Sequence, residues 1–358
     1  MRRLRICLIA SSRFPVAEPF AGGLEAHTHS LAKALQERGH EVSLFAAPGS
    51  DPRLLAEALV VDRFRSSDAA RDDVAAPPEQ WMSEHHAYLA LMLELGRSAH
   101  HRFDVVHNNS LHHLPVAMAS ALPIPVATTL HTPPTPWLES AIRLAPDSAH
   151  FVAVSRCTAE QWSGVAAPRV IMNGVDTAQW KAGPGGSGAI WFGRLVPEKA
   201  PHLAIEAARI AGLPLDLAGP AYDSEYFERM IAPWLDDRIR YLGHLSSAEL
   251  VQHVGRSAVS VVTPRWEEPY GLVAAESMAC GTPVAAFSRG ALPEFVTRSS
   301  GRLAPADDVE GLAEAMLQAS ALSREETRRH AERMCSLETM VDRYEDLYDE
   351  LATGVRAA

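Results

Sequence analysis

The sequence predicts an α/β protein with two Rossmann-like, doubly wound parallel-sheet domains facing each other across a cleft. Three observations carry that prediction. The chain has 358 residues, more than one domain usually spans. Short apolar runs alternate with helical periodicities along its length, the pattern of strand–helix–strand units. The alternation then restarts after GPGGSG at 183–188, so one series of strands becomes two.

The first series opens with RICLIA (5–10), read as a buried strand. The basic residues before it and the brief apolar run at 6–10 are too short for a signal segment or a membrane span. Residues 23–39 follow as an amphipathic helix, with Leu24, His27, Leu31 and Leu35 on one face and Gly39 as its stop. EVSLFA (41–46) is the second strand. Residues 50–80 hold many Asp, Arg and Pro and few apolar clusters, so an irregular insertion is expected there. DVVH (104–107), VATTL (126–130) and FVAVS (151–155) are further strands, the first two separated by a helix from about Leu111.

The second series begins with AIWFG (189–193). A helix at 200–212 carries proline in its first turn. PLDLAG, IRYLG, AVSVVT and PVAAF supply four more strands. A last helix near 336–352 places Met340, Tyr344, Leu347 and Leu351 at helical spacing, and that face needs a partner. No period of 20–50 residues recurs, which excludes a solenoid.

Composition narrows the class. Hydrophobic residues make up 47% and charged residues 22%, as in ordinary globular proteins. The net charge of −11 disfavours nucleic acid or an acidic membrane as a general partner. No long basic amphipathic helix is present, so strong membrane association is not expected. Cys7, Cys157, Cys280 and Cys335 form no C-x-x-C pair, which points to a reduced, cytoplasmic setting without zinc knuckles or disulfides. The sixteen histidines include pairs at 85–86, 100–101 and 112–113 and the His27-x-His29 spacing. None has carboxylate or cysteine partners at fixed spacing, so no metal is expected, and His29 reads as a solvated helix residue.

In open sheets of this kind ligands bind beyond the carboxyl ends of the strands. GRLVPEK (193–199) lies there and sets Arg194 and Lys199 in one strand-to-helix loop. Two cations so close suit an anion between them, with a diphosphate the natural choice and a solvated basic loop the plain alternative. EEPYGLVAAESMACGTPV (267–284) is the second such segment. Pro269 would start a helix and leave the amides of Tyr270, Gly271 and Leu272 free for phosphate or sugar oxygens. Glu268 precedes that helix and Glu276 lies two turns inside it, and carboxylates suit pairs of sugar hydroxyls. The plain reading makes Glu268 a helix cap and Glu276 a solvated residue, though Glu276 sits in an apolar stretch. Gly22 and Gly23 in AGGLE could bring amides to an anion, or form a simple turn. G-x-G-x-x-G is absent, which disfavours a nicotinamide-dependent dehydrogenase.

Together GGLE (22–25), DVVHNNS (104–110), TLHT (129–132), VIMNGVD (170–176), GRLVPEK and EEPYGLVAAESMACGTPV resemble, in order, the signatures of GT-B fold retaining glycosyltransferases of family 4, also called glycosyl transferases group 1. The resemblance implies a sugar transferred from a nucleotide-sugar donor, UDP favoured, to an acceptor that is a small molecule, a lipid or a glycan. It implies an N-terminal acceptor-side domain at 1–168, a donor-binding domain at 169–335, and a terminal helix, 336–358, crossing back onto the first domain. Arg194 and Lys199 would bind the diphosphate, Glu276 the ribose and Glu268 the donor sugar. Gly23 would reach the phosphates from the opposite domain, and His131 would lie beside the reacting carbon. The backbone of Gly243, His244 and Leu245 is the candidate base site. Glu25, His27, His107 and Asn108 are acceptor-side candidates; His107, Asn108 and Asn109 follow a strand into the cleft, with donor-side contact and ordinary loop polarity their alternatives. Domain closure would bring Gly23 and His131 toward Arg194, Lys199 and Glu268.

No aspartate stands two positions from another, so the D-x-D element that holds a metal in many transferases is absent. Arg194, Lys199 and helix amides can neutralise the leaving diphosphate instead, and no cofactor or metal is expected. Two other readings remain: a nucleotide-sugar epimerase on the same fold, and a two-domain solute-binding protein.

Overall fold

A computed structural model describes residues 2–54, 57–146 and 149–357. Among these, strands β1 (Arg5–Ile9), β2 (Glu41–Ala46), β3 (Glu57–Val60), β4 (Val105–Asn108), β5 (Val126–Leu130), β6 (His150–Ala153) and β7 (Arg169–Val170) form one parallel sheet in the order β3-β2-β1-β4-β5-β6-β7. Strands β8 (Ala189–Phe192), β9 (Leu215–Ala218), β10 (Ile239–Tyr241), β11 (Val259–Val262), β12 (Val284–Phe287) and β13 (Gly301–Ala304) form the other, ordered β10-β9-β8-β11-β12-β13. Chain order reverses beside β1 and β4 in the first sheet and beside β8 and β11 in the second. Those switch points are where a doubly wound sheet opens a crevice.

The central strands are apolar on both faces because helices cover both. In the second domain Trp191, Leu217 and Val261 pack into one cluster, while Ile190, Phe192 and Val262 pack into another on the opposite face. The stretch read as irregular at 50–80 contains the edge strand β3, paired in parallel with β2. Val60 in it is 83% exposed, so it lacks the apolar run that marks a central strand. A helix that the sequence reading did not anticipate, Glu79–Arg102, buries Ala87, Tyr88, Leu91, Met92, Leu95 and Ala99. Among the described residues no helix is long and apolar enough to cross a membrane.

The C-terminal helix, Leu337–Ala357, packs on the first domain. Met340, Val341, Tyr344, Leu347, Tyr348 and Leu351 share a core with Leu8, Leu31 and Leu44. A polar clamp adds to it. Arg38, just past the C-terminus of the helix Gly23–Glu37, donates to Asp342 (2.6 Å), Glu338 (2.5 Å) and Glu345. His40 Nδ1 accepts from the Leu4 amide at 3.1 Å, so in its neutral form its Nε2–H donates to Glu345 at 2.8 Å.

Candidate active site

The loop leaving β8 carries Arg194 and Lys199. Lys199 Nζ lies 2.6 Å from Glu268 Oε2, which also accepts from Trp266 Nε1 at 3.1 Å. The ammonium sits 5.0 Å from the centre of the Trp266 ring. Glu268 is buried. It is therefore no helix cap but half of an ion pair, with the indole fixing both partners. Arg194 remains 40% exposed, and its ion partner is Glu198 at 3.6 Å. A link that loose leaves the guanidinium free to take a bidentate anion.

The helix expected from Pro269 begins at Leu272 and runs to Ala279. Pro269–Gly271 instead form the turn that leads into it, with Gly271 at φ +93°. That φ favours glycine, and a Cβ on Gly271 would lie 2.7 Å from Leu292 Cδ2, so a larger residue would also have to move that side chain. The amides of Tyr270, Gly271 and Leu272 make no hydrogen bond among the described residues. The Tyr270 ring is committed to the core, stacked on Phe295 at 5.0 Å, so only its backbone can serve a ligand. Glu276 is half-buried in this helix without a hydrogen-bonding partner among the described residues. Burial pushes its carboxyl up to about 8.

From the other domain the helix Gly23–Glu37 points its own N-terminus at the same place. A Cβ on Gly23 would lie 3.2 Å from Leu272 Cδ1, and one on Gly22 would lie 3.9 Å from Arg194 Nε. Two helix N-termini thus meet across the cleft with a guanidinium beside them. Glu25 is buried in the first turn, its Oε2 3.4 Å from the position of a Cβ on Gly22. Burial raises its carboxyl to about 7, against the pull of Arg194. The domains also touch where His244 Nε2 meets Phe20 O at 3.0 Å and where Phe14 stacks on Tyr222 at 6.0 Å. Glu294 accepts from the Cys157 amide at 2.7 Å and the Arg156 amide at 3.1 Å. Gly243 has φ +82°, its carbonyl accepts from Gly219, and Leu245 packs at the edge of the second domain's core.

His131 Nε2 lies 2.9 Å from Asn109 Oδ1, so Nε2 carries the proton and Nδ1 keeps its lone pair. Burial and the nearby His27 and His107 hold its pKa far below the usual range, so the ring is neutral. His27 packs edge-on at 4.9 Å between ring centres, with Nε2 buried and unpartnered. His107 and Asn108 do not present free groups to a ligand. His107 Nδ1 meets Tyr348 OH at 2.6 Å and Nε2 meets Thr129 Oγ1 at 2.7 Å. Asn108 Oδ1 accepts from the Ser110 amide and hydroxyl. Both side chains are buried and brace the loop after β4, because hydrogen-bonded partners from β5 and the C-terminal helix consume their polar atoms. His29 is not solvated as expected: its Nε2 lies 3.1 Å from Asp51, with 14% of the side chain exposed. Asn109, expected only as a cleft contact or loop polarity, instead orients His131, and Trp266 is the site residue without a role in the sequence analysis. Trp266 could have been found from its place directly before Glu267 and Glu268.

Two family models match the chain: Glycosyltransferase Family 4 over residues 21–179 and Glycosyl transferases group 1 over residues 182–334. The glycogen synthase of Mycobacterium tuberculosis is 29% identical, across 87% of this chain and 85% of that protein. The phosphatidyl-myo-inositol mannosyltransferase of Mycolicibacterium smegmatis is 26% identical, across 88% and 84%. Among solved structures, AviGT4, a glycosyltransferase involved in avilamycin A biosynthesis, superposes with a TM-score of 0.72 at 24% identity over 98% of both chains. Anabaena HepE, in complex with UDP and glucose, superposes with a TM-score of 0.75 at 18% identity over 98% of this chain and 100% of that one.

Proposed function

The chain belongs to the GT-B glycosyltransferases of family 4 and group 1, and from that premise we propose that it transfers a sugar from a UDP-sugar to an acceptor, with retention and without a metal. In this reading residues 1–168 hold the acceptor, 169–335 hold the donor, and 336–358 tie back to the first domain. One observation carries it: two helix N-termini and Arg194 converge on one point, with Lys199 and Glu268 paired alongside. Such a point is complementary to a diphosphate and attracts its charge from both domains at once. HepE, the solved relative with UDP, supports the choice of base. None of the relatives named above is an epimerase or a binding protein.

The reaction needs few groups. The bond from the anomeric carbon to the β-phosphate oxygen breaks, and its electron pair stays on that oxygen. The acceptor hydroxyl oxygen bonds to the same face of the carbon, and its proton passes to the departing phosphate. Arg194, Lys199 and the free amides at 270–272 stabilise the charge that builds on the diphosphate. Lys199 and Glu268 are held ready by each other, the first for phosphate and the second for sugar hydroxyls. Neutral His131 offers Nδ1 as an acceptor to a hydroxyl. Glu276 takes the ribose hydroxyls, and the backbone at Gly243, His244 and Leu245 takes the base.

Incubation with UDP-, GDP- and ADP-sugars in the presence of a chelator tests the reading. Slow release of nucleotide and free sugar from a UDP-sugar is the expected result, unchanged by added magnesium. A sugar isomerised while still on its nucleotide would overturn it in favour of the epimerase. Lys199→Ala and Glu276→Ala are each expected to weaken UDP binding by roughly ten- to a hundredfold, the worth of one charge-assisted hydrogen bond. Calorimetry on the two variants reads this directly, and unchanged affinity in both would remove the donor-site assignment.

A pH dependence follows from Glu25. Its carboxyl loses its proton at about 7, beside the place assigned to the diphosphate. The protonated form tolerates that charge and the ionised form repels it, so donor binding raises the pKa further. UDP-glucose affinity is expected to fall as pH climbs from about 6 to about 8, with proton uptake on binding. Glu276, which titrates at about 8, biases the opposite way, because its ionised form accepts both ribose hydroxyls. In Glu25→Gln the fall should vanish; a fall that persists there would place its cause elsewhere.

A further inference from the structure

On the first domain, beside the cleft, lies a group of rings that none of the roles above uses. Trp81 stacks on His85 with ring centres 5.5 Å apart and meets Trp137 at 6.0 Å. His113 stacks on Trp137 at 5.3 Å and on His112 at 4.4 Å, and His112 in turn stacks on Tyr88 at 4.4 Å. Tyr88 ties the group to the end of β1, since its hydroxyl donates to Ala10 O at 2.9 Å and accepts from the Ser12 amide at 3.0 Å. Trp81 and His85 share the helix Glu79–Arg102 with Tyr88; His112 and His113 come from the loop after β4; and Trp137 comes from the helix Pro136–Arg143, which follows the β5 loop holding His131. The group therefore borders the same crevice as His131.

Three features separate it from ordinary packing. Trp137 is 61% exposed, so an indole face is presented to solvent rather than buried. His85 Nδ1 and Thr132 Oγ1 are shielded from solvent yet have no hydrogen-bonding partner, and Thr132 directly follows His131. Buried polar atoms normally find partners, so both are short of one that a ligand could supply. Third, the group holds no lysine or arginine, and His112 is neutral. His112 Nδ1 accepts from the Leu114 amide at 3.2 Å, which fixes the neutral tautomer, and burial beside His113 and His85 holds its pKa near 3. The guanidinium of Arg13, from the loop after β1, is already held by both oxygens of Glu84 at 2.8 and 3.0 Å.

We propose that Trp81, His85, His112, His113 and Trp137, with Thr132, form the acceptor subsite and take the pyranose ring of an uncharged saccharide. The proposal rests on the glycosyltransferase reading and extends it to the acceptor class. A pyranose has an apolar C–H face that lies flat on an indole and a rim of hydroxyls that both donate and accept. The indole of Trp137 matches the face. The edges of the imidazoles and Thr132 Oγ1 match the rim. A phosphorylated polyol would call instead for free guanidinium or ammonium groups, and this wall supplies none. Bound there, a saccharide hydroxyl reaches toward His131 and becomes the oxygen that bonds to the anomeric carbon, its proton leaving with the diphosphate.

The test uses the full chain with UDP present. Methyl glucopyranoside, methyl mannopyranoside, maltotriose and glycerol 3-phosphate are titrated, and binding is read by tryptophan fluorescence and by saturation transfer from protein to ligand. At least one neutral saccharide is expected to bind with its C–H face saturated, and Trp137→Ala is expected to weaken it tenfold or more. His113→Ala should weaken it severalfold, and circular dichroism checks that both variants are folded. Equal saccharide affinity in folded Trp137→Ala, no binding by any of the three saccharides, or binding by glycerol 3-phosphate alone would overturn the proposal. UDP affinity of the unaltered chain is measured separately: its failure would strike the donor-site reading, while the saccharide titration judges only the acceptor wall.

Discussion

Arg194→Ala is expected to lower the transfer rate at saturating donor by roughly a hundred- to a thousandfold, the usual effect of deleting one preorganised group that stabilises developing charge. The reasoning is geometric. Arg194 stands where the N-termini of two helices meet, and its ion partner is the half-exposed Glu198 at 3.6 Å. Little of the fold depends on that contact, since exposed pairs of this kind contribute only about 0–1 kcal/mol. The charge that it faces, by contrast, grows as the glycosyl phosphate bond breaks. Loss should therefore appear mainly in kcat, read from steady-state rates at saturating UDP-sugar. Arg194→Lys should recover part of the rate, because a lysine keeps the charge but gives up the two-pronged geometry. A variant with a raised KM and an unaltered kcat would show that Arg194 binds ground state and transition state equally and adds nothing to the chemical step.

Arg38→Ala carries the largest expected effect on stability, roughly 3 kcal/mol. Glu345 is 4% exposed, and Arg38 is its principal cationic partner; His40 is bonded to its other oxygen. Removing Arg38 leaves the Glu345 carboxylate in the interface between the C-terminal helix and the first domain without that cation. The same change frees Glu338 and Asp342, which then repel along one helix face. Hydrogen exchange should locate the damage, with amides of 337–354 losing protection while those of β8–β13 keep theirs. Uniform loss across both domains, or none, would contradict this account. Arg38→Ala combined with Glu345→Gln should recover part of the stability, since the buried charge is then gone.

The central strands were legible because strands covered on both faces read as unbroken apolar runs, as in β1 from Ile6 onward, β8 and β12. The edge strand β3 carries no such run, and it was missed. The helix Glu79–Arg102 did carry a periodic set at Ala87, Leu91, Met92, Leu95 and Ala99, hidden among histidines and charged residues. At the cleft, Arg194, Lys199, Glu268 and Glu276 could be named because each lies in a short segment after a strand. Relations between segments could not. Asn109 holds His131 across 22 positions, Tyr348 holds His107 across 241, and the ring wall draws on three separate stretches. His107 looked like a ligand contact because its partner in the C-terminal helix has no local trace in the chain. Glu25 was assigned to the acceptor side for a related reason, as its nearness to Arg194 exists only once two domains meet.

The C-terminal helix also sets an order of events at the ribosome. Tyr344, Leu347 and Tyr348 complete the core of β1, β2 and the helix Gly23–Glu37, yet they are translated only after the entire second sheet. At about 5–20 residues per second, the first domain waits for roughly ten seconds or more with an unfilled apolar groove while the second domain is translated, and that domain has all its own strands before Tyr344 is made. The domain that begins synthesis first is thus the one that finishes folding last, and in the interval its groove is the surface for a nascent-chain chaperone to cover.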